Sequence, residues 1–385
     1  VSGAGLAGVE IVRLRLPLVA PWVTTMGVID SRDVLLARAV VDGAEGWGEC
    51  VAQPEPTYSS EYVDGAAAVL DRHLLPRLVD GPPLVGPDGV ADRLAPVRGH
   101  LMAKATLEAA VLDAWLRVRG RSLAVDLARR AAPPSVAVPA TVPAGVVVGI
   151  TGSVEGLLAE VATRVAEGYR RVKLKIHPGW DVVPVAAVRD RWPTDELALQ
   201  VDANGAYATR ADPAGDLAPL DDLDLLVIEQ PLADDDLLGH AALAARLRTR
   251  VCLDESLTSV GGVATALALG ACSAVNLKAG RVGGPLEAVA IHDLCRRAGV
   301  PVWCGGMLET GIGRALNLAL ASLPGFTLPG DLSAADRFWA EDIVTRPARL
   351  TPDGTIAVPD GPGIGVELRA DLAAVTVSRR WYRAT

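Results

Sequence analysis

The sequence predicts a mixed α/β chain: a closed β/α barrel preceded by an α+β unit of antiparallel strands and helices. Three observations predict it. From about residue 145 onward, β-branched runs alternate with Ala- and Leu-rich helical stretches, the order of a parallel sheet whose crossovers are helices. Charged residues close those runs at nearly constant intervals: Asp202, Glu229, Asp254 and Lys278 are spaced by 229 − 202 = 27, 254 − 229 = 25 and 278 − 254 = 24 residues. One strand, one helix and two short loops occupy about that length. The first third and the tail lack this rhythm and carry hairpin signals instead.

Residues 9–51 read as three strands, VEIVRLRLPL, VLLARAVVDG and AEGWGECVA, with Asp42-Gly43 as a turn between alternating segments. From about Ser59 to Ala132 the pattern becomes helical. It is clearest in LMAKATLEAAVLDAWLRVRG, where apolar residues recur every three or four positions and Gly120 marks the stop. The Pro-rich stretch AAPPSVAVPATVPAG places a domain boundary near residues 132–143, so the expected domains are 1–135, a barrel over 136–345 and a C-terminal segment over 346–385. Barrel strands are expected in AGVVVGI, RVKLKI, LALQV, LLVIE, VCLD, AVNLK, PVWCG and FTLPG. Eight units in roughly 200 residues favour a closed barrel over a doubly wound sheet. The stretch LTPDGTIAVPDGPGIGVEL returns to hairpin-like sequence with an Asp-Gly turn and is expected to pack back on the first domain.

A chain of 385 residues that is 50% hydrophobic can bury a substantial core. Its net charge of −9, from 46 acids and 37 bases with no basic run, argues against a nucleic-acid partner. The five cysteines are odd in number, form no C-x-x-C pair and lie mostly in apolar runs, which fits reduced buried thiols in a cytoplasmic protein. No window reaches the roughly 18 uncharged apolar residues of a membrane span, and the start VSGAGLAGVEIVRLRLPL is not built like a leader. The expected partner is a small-molecule carboxylate, and a homo-oligomer is left open.

In parallel barrels the C-terminal strand ends face the catalytic mouth. Asp202 follows LQV, Glu229 follows LVI and Asp254 follows VCL, so the three acids are expected to converge there. Any one alone reads as a helix N-cap or loop carboxylate. Three together repel unless a divalent cation neutralises them, and an all-oxygen set without histidine suits Mg2+ or Mn2+ rather than zinc. Lys173 and Lys175 lie two apart on one strand and point to one face, where each is expected to disfavour the other's charge. Lys278, on the sixth strand, is expected to approach the substrate from the opposite side. Lysines flanking a carboxylate-bound cation suit abstraction of the α-proton of a carboxylate substrate, because the cation stabilises the enediolate charge that develops; the lysine-with-Mg2+ pattern is a known arrangement.

With K-x-K, D-x-N, E-Q-P, D-E-S and N-x-K-x-G-R-x-G-G in this order, the chain resembles the enolase superfamily, muconate-lactonizing subgroup, and in particular o-succinylbenzoate synthases related to N-acylamino acid racemases. The likeness extends through TLEAAVLDAWLRVRGRSL, VWCGGMLETGIGRALN, SLPGFTLPGD and GPGIGV. It implies a modified (β/α)7β barrel with an α+β capping domain formed by the N-terminal third and the C-terminal tail. It implies Asp202, Glu229 and Asp254 as metal ligands, Lys175 as general acid/base, Lys278 as the second lysine and Lys173 near the substrate carboxylate. Asn204 and Glu255 match positions beside the metal, and Arg281 could position Lys278 or pair with a loop acid. Trp22, Met26 and Tyr58 match loops that close over the substrate, while Met307 and Glu309 are expected to line the pocket, with a structural place for Glu309 as an equal alternative. Relatives carry a serine where this chain has Val147 and favour an acid where it has His177, which leaves the acyl end of the substrate open. The implied reaction is dehydration of 2-succinyl-6-hydroxy-2,4-cyclohexadiene-1-carboxylate to o-succinylbenzoate, a step of menaquinone biosynthesis. Racemisation of N-acyl- or N-succinylamino acids is the alternative, and a non-enzymatic binding protein with a vestigial site is the third.

Overall fold

The structure, a computed structural model, describes residues 5–24, 27–84, 86–134 and 137–384. Strands β1 (Leu6–Thr24), β2 (Gly27–Val41) and β3 (Ala44–Cys50) form an antiparallel meander. Asp42 and Gly43 both have positive φ, 49° and 84°, which matches the right-handed twist of the strands they join. The helix Leu101–Val118 lies across β3. Gly46 and Gly48 allow this: a Cβ at either would collide with the helix backbone, at Ala114 and Thr106 respectively. Buried Asp113 stitches the layers, accepting from Trp47 N at 2.7 Å and Ile364 N at 2.8 Å.

Beyond residue 140, β4 (Thr141–Pro143) precedes seven parallel strands: β5 (Val146–Val148), β6 (Arg171–Lys175), β7 (Ala198–Asp202), β8 (Ile228–Glu229), β9 (Val251–Leu253), β10 (Ala274–Leu277) and β11 (Val302–Cys304). They pair in chain order within one curled sheet, and a helix follows each, from Val154–Ala166 after β5 to Gly311–Ala321 after β11. The eighth expected strand, FTLPG, is not regular. Phe326 makes a single parallel bridge to Val302, Asp331 N donates to Cys304 O at 2.8 Å, and Arg171 of β6 reaches Gly330 O at 3.4 Å from the far side. Pro329 has no N–H to give a ladder, so this stave closes the barrel through isolated bonds. Seven β/α units and a closing segment make the fold the modified (β/α)7β barrel, joined to a separate antiparallel sheet.

The tail takes part in both layers. β12 (Thr355–Ala357) pairs with β4, Leu350 and Ile356 bridge across the Asp353-Gly354 turn, and β13 (Thr376–Arg383) adds to the edge of β1. The hairpin expected on the first domain therefore lies against β4, and only the segment after it reaches the cap, where Arg117 donates to Val366 O at 2.7 Å.

Candidate active site

β6 sets the character of the barrel interior. All five of its residues are buried, and strand alternation separates Arg171, Lys173 and Lys175 from Val172 and Leu174, which join the apolar core beneath the helices. Deepest inside, Arg171 donates to Gln200 at 3.2 Å and lies 5.0 Å from the Trp303 ring centre. Lys173 sits over the same ring at 4.9 Å. The fully buried indole of Trp303 thus packs beneath this charged layer.

A cavity of about 500 Å³ opens above, at the C-terminal strand ends, covered by residues 28–31 and 53–58 of the antiparallel unit. Asp202, Glu229 and Asp254 are each at most 1% exposed. Among the described residues, no three acids converge on one ion-sized point as they stand. Ammonium groups neutralise them instead. Lys173 Nζ lies 3.0 Å from Asp202, 2.9 Å from Glu229 and 2.7 Å from Asp331; Lys175 Nζ lies 2.7 Å from Asp202; Lys278 Nζ lies 2.7 Å from Asp254. The Lys173 ammonium therefore occupies a point that two of the three acids share.

Burial works against charge on every group here, and the neighbours decide the outcome. Burial opposes the Lys173 ammonium, but Asp202, Asp331 and Glu229 outweigh it and raise its pKa. The expected mutual depression of Lys173 and Lys175 does not govern Lys173, because three carboxylates stand closer in effect than one amine. Asp202 is held low, against its burial, by Lys173 and Lys175. Glu229 is pushed up by burial and then by the charge of Asp202, although Asn276 donates to it at 2.6 Å. Lys278 is raised against its burial, chiefly by Tyr58 and Glu255.

The surrounding residues fall largely where expected. Asn204, at φ 42°, accepts from Lys175 at 2.5 Å and donates to Glu255 at 2.8 Å. The other oxygen of Glu255 is buried without a hydrogen-bond partner. Arg281 pairs with Asp254 and donates to Asn276 O at 2.6 Å, so it acts on Lys278 through their shared acid. Gln230 (φ 38°) and Leu308 (φ 59°) follow β8 and β11, so left-handed non-glycine backbone gathers around the cavity. Tyr58 and Met307 line the cavity, as does Val147. His177 turns to the carbonyl of Pro178, with Nδ1 at 3.0 Å.

One expected pocket residue stands differently, and the side chains of two others are not described. Glu309 turns behind the wall, accepting from Asn317 at 2.8 Å and lining a small void of about 20 Å³ between barrel and cap. Its placement follows from Thr310, which caps the next helix and sends the preceding side chain into the seam. Met26 lies outside the described residues. Trp22 is described by its backbone alone, opposite Ile29 on β2. Sequence reasoning missed Asp331 and Asn276. Both carried a signal: Asn276 is two residues before Lys278 on one strand, and Asp331 ends an apolar run 331 − 278 = 53 residues on, two further rungs of the ladder.

Residues 7–127 match the N-terminal domain of the mandelate racemase / muconate lactonizing enzyme family, and residues 156–372 match the enolase C-terminal domain-like family. The chain is 52% identical over 377 residues to an N-succinylamino acid racemase of an Amycolatopsis species, covering 98% of this chain and 99% of that one. It is 44% identical over 356 residues to an o-succinylbenzoate synthase of Geobacillus kaustophilus, covering 92% and 91%. A crystal structure of an enolase superfamily member from Enterococcus faecalis superposes with a TM-score of 0.90 at 40% identity, covering 99% of this chain and all of that one. Acids and lysines at successive strand ends, a closing eighth stave and a cap that reaches over the mouth agree with these matches along nearly the whole length: the chain belongs to the enolase superfamily.

Proposed function

We propose that this protein removes the α-proton of a carboxylate substrate between Lys175 and Lys278, as an o-succinylbenzoate synthase of menaquinone biosynthesis that also serves N-succinylamino acids. One observation carries the reading. β6 and β10 are the second and sixth of eight staves, so Lys175 and Lys278 enter the cavity from opposite sides, each anchored on its own acid. Two amines entering one cavity from opposite sides are what proton transfer at a single carbon requires.

Asp202, Glu229 and Asp254 are the proposed metal ligands. Their chemistry fits a hard divalent cation, Mg2+ or Mn2+: all-oxygen, buried and free of histidine, with the unpartnered Glu255 oxygen as a further acceptor. Such an ion supplies charge stabilisation to the substrate carboxylate as its α-proton leaves. The chain's own groups do the rest. Lys173, fixed between Glu229 and Asp331 and raised in pKa, stays cationic and faces the carboxylate as a charge. Lys175 takes the α-proton; in dehydration it returns that proton to the departing hydroxyl on the same face, while Lys278 remains a cation beside the developing negative charge. Racemisation uses the same pair in sequence: one lysine, as the free amine, takes the α-proton and keeps it, while the other, as the ammonium, gives its own proton to the opposite face. Residues 28–31 and 53–58, which cover the cavity, limit the access of water to the carbanionic carbon.

The racemase reading draws support from the 52% identity to the Amycolatopsis racemase, the dehydration reading from several synthases at 42–44%. The five cysteines are free and buried, as a reducing cytoplasm favours, and no helix among the described residues is long and apolar enough to cross a membrane. Purified enzyme supplied with the cyclohexadiene carboxylate and, separately, with N-succinylated amino acids in deuterium oxide tests both activities. Turnover of the first and α-deuteration of the second are expected; inertness towards both would refute the proposal.

A further inference from the structure

The two halves of the site are built from different parts of the chain. Lys175 is held by Asp202 and Asn204, which belong to β7 and the loop that follows it. Lys278 is held by Asp254 at the end of β9 and by Tyr58, which arrives from the cap 220 residues away in sequence. The Tyr58 hydroxyl lies 3.1 Å from Lys278 Nζ, 3.1 Å from Asp254 Oδ1 and 3.3 Å from an Arg281 nitrogen. Its ring also stacks under the ammonium, with Nζ 4.6 Å from the ring centre.

Tyr58 belongs to an irregular segment whose residues 54–57 are exposed. The segment is closed at its base, where Val63 N donates to Gln53 O at 2.9 Å and Gln53 bridges Tyr62. The Tyr58 ring packs against the apolar cluster of the cap, and its hydroxyl reaches beyond that cluster into the barrel mouth. The hydroxyl makes its contacts there with Lys278 and with the charged groups beside it, Asp254 and Arg281. A lysine on a flexible four-carbon stem needs such an anchor to hold its nitrogen at a fixed point.

We infer that Tyr58 is a positioning residue for Lys278, so that the Lys278 half of the site is completed by the cap while Lys175 is held by a barrel strand and the loop that follows it. This rests on the proposed role of the two lysines as opposed proton-transfer groups. If Asp254 serves a metal ion as proposed, the Tyr58 oxygen becomes the hydrogen-bond acceptor left to Lys278 among its described partners. Removing it then frees the amine on one face of the substrate and leaves the other lysine anchored.

The test is Tyr58→Phe, which keeps the ring and deletes only the oxygen, read in two ways. Hydrogen–deuterium exchange is followed from each enantiomer of an N-succinylamino acid, with Lys278→Ala defining which enantiomer depends on Lys278. The ratio of the two rates is expected to shift about tenfold in the same direction as in Lys278→Ala, as loss of a hydrogen bond to a charged group predicts. An unchanged ratio, both rates falling together, would overturn the inference, because general loosening of the lid has no preferred face. Independently of turnover, Lys278 and Lys175 are labelled with a small amine-reactive reagent and read by mass spectrometry. Labelling of Lys278 relative to Lys175 is expected to rise several-fold in the variant, and equal ratios in variant and wild type would refute the positioning role. Wild-type enzyme that exchanges neither enantiomer would count against the proton-transfer reading, and the labelling ratio would still decide the place of Tyr58.

Discussion

Glu49 provides a test of how cap and barrel are joined. It lies next to the end of β3, against the helix Gly311–Ala321, and accepts from Thr310 N at 3.0 Å, Thr310 Oγ1 at 2.6 Å and Gly313 N at 2.9 Å. Burial pushes its carboxyl up from 4.5 to about 7, against those three donors and with Glu309 adding repulsion. A folded-state pKa above the unfolded one means that the stability contributed is fully present below pH 4.5 and is lost as pH rises through 7. The displacement of 7 − 4.5 = 2.5 units corresponds to about 3 kcal/mol at most. Glu49→Gln removes the titration and retains the shape. Whatever the amide costs in hydrogen bonds is independent of pH, so the informative quantity is how the melting-temperature gap between variant and wild type changes with pH. From pH 5 to pH 8, where about 2.5 kcal/mol of this contribution is lost, the variant should gain on wild type by about 2–5 °C, since each kcal/mol shifts a protein of this size by a degree or two. A gap that stays flat or narrows over that range would refute the assignment of a buried, neutral-leaning carboxyl to this seam.

Three further outcomes follow from the site. Lys175→Ala should abolish both dehydration and α-proton exchange, whereas Lys278→Ala should leave exchange on one face measurable by NMR in deuterium oxide; loss of both faces in the second variant would contradict the opposed placement. Chelation by EDTA should remove activity and Mg2+ or Mn2+ restore it, while recovery with zinc alone would contradict an all-oxygen ligand set. Asp331→Asn strips a charge partner from both Arg171 and Lys173 and should destabilise the fold by about 3–5 kcal/mol, the usual consequence of leaving a buried cation uncompensated. Thermal melting checks it, and a variant melting within a degree of wild type would show that Asp202, Glu229 and Gln200 suffice.

Much of this protein is legible along the chain because its signals are local. Asp42-Gly43 announces its turn through two positive φ values, Gly120 announces the end of its helix, and β-branched runs announce strands buried on both faces. The ladder of acids and lysines is legible for the same reason: a strand end in a parallel barrel faces the mouth whatever the rest of the chain does. Lys173 and Lys175 share a face by the two-residue period of a strand, and the structure puts them both on Asp202.

Other features depended on contacts between distant segments. Glu309 sits beside pocket residues in sequence yet turns into the seam, because the cap of the following helix sets its direction. FTLPG has the composition of a strand but closes the barrel through single bonds, since Pro329 lacks a donor and its neighbours on both sides belong to strands far away in the chain. The charge states of Lys173 and Glu229 likewise follow from three-dimensional neighbours, Asp331 among them, that no local window contains. The sequence by itself determined the fold class, the succession of elements and the residue types that meet at the mouth, because strand and helix periods and turn chemistry are short-range properties. Only the tertiary structure decided which acid pairs with which amine and that Tyr58 of the cap touches Lys278 of the barrel, because hydrogen bonds act over about 3 Å and are blind to separation along the chain.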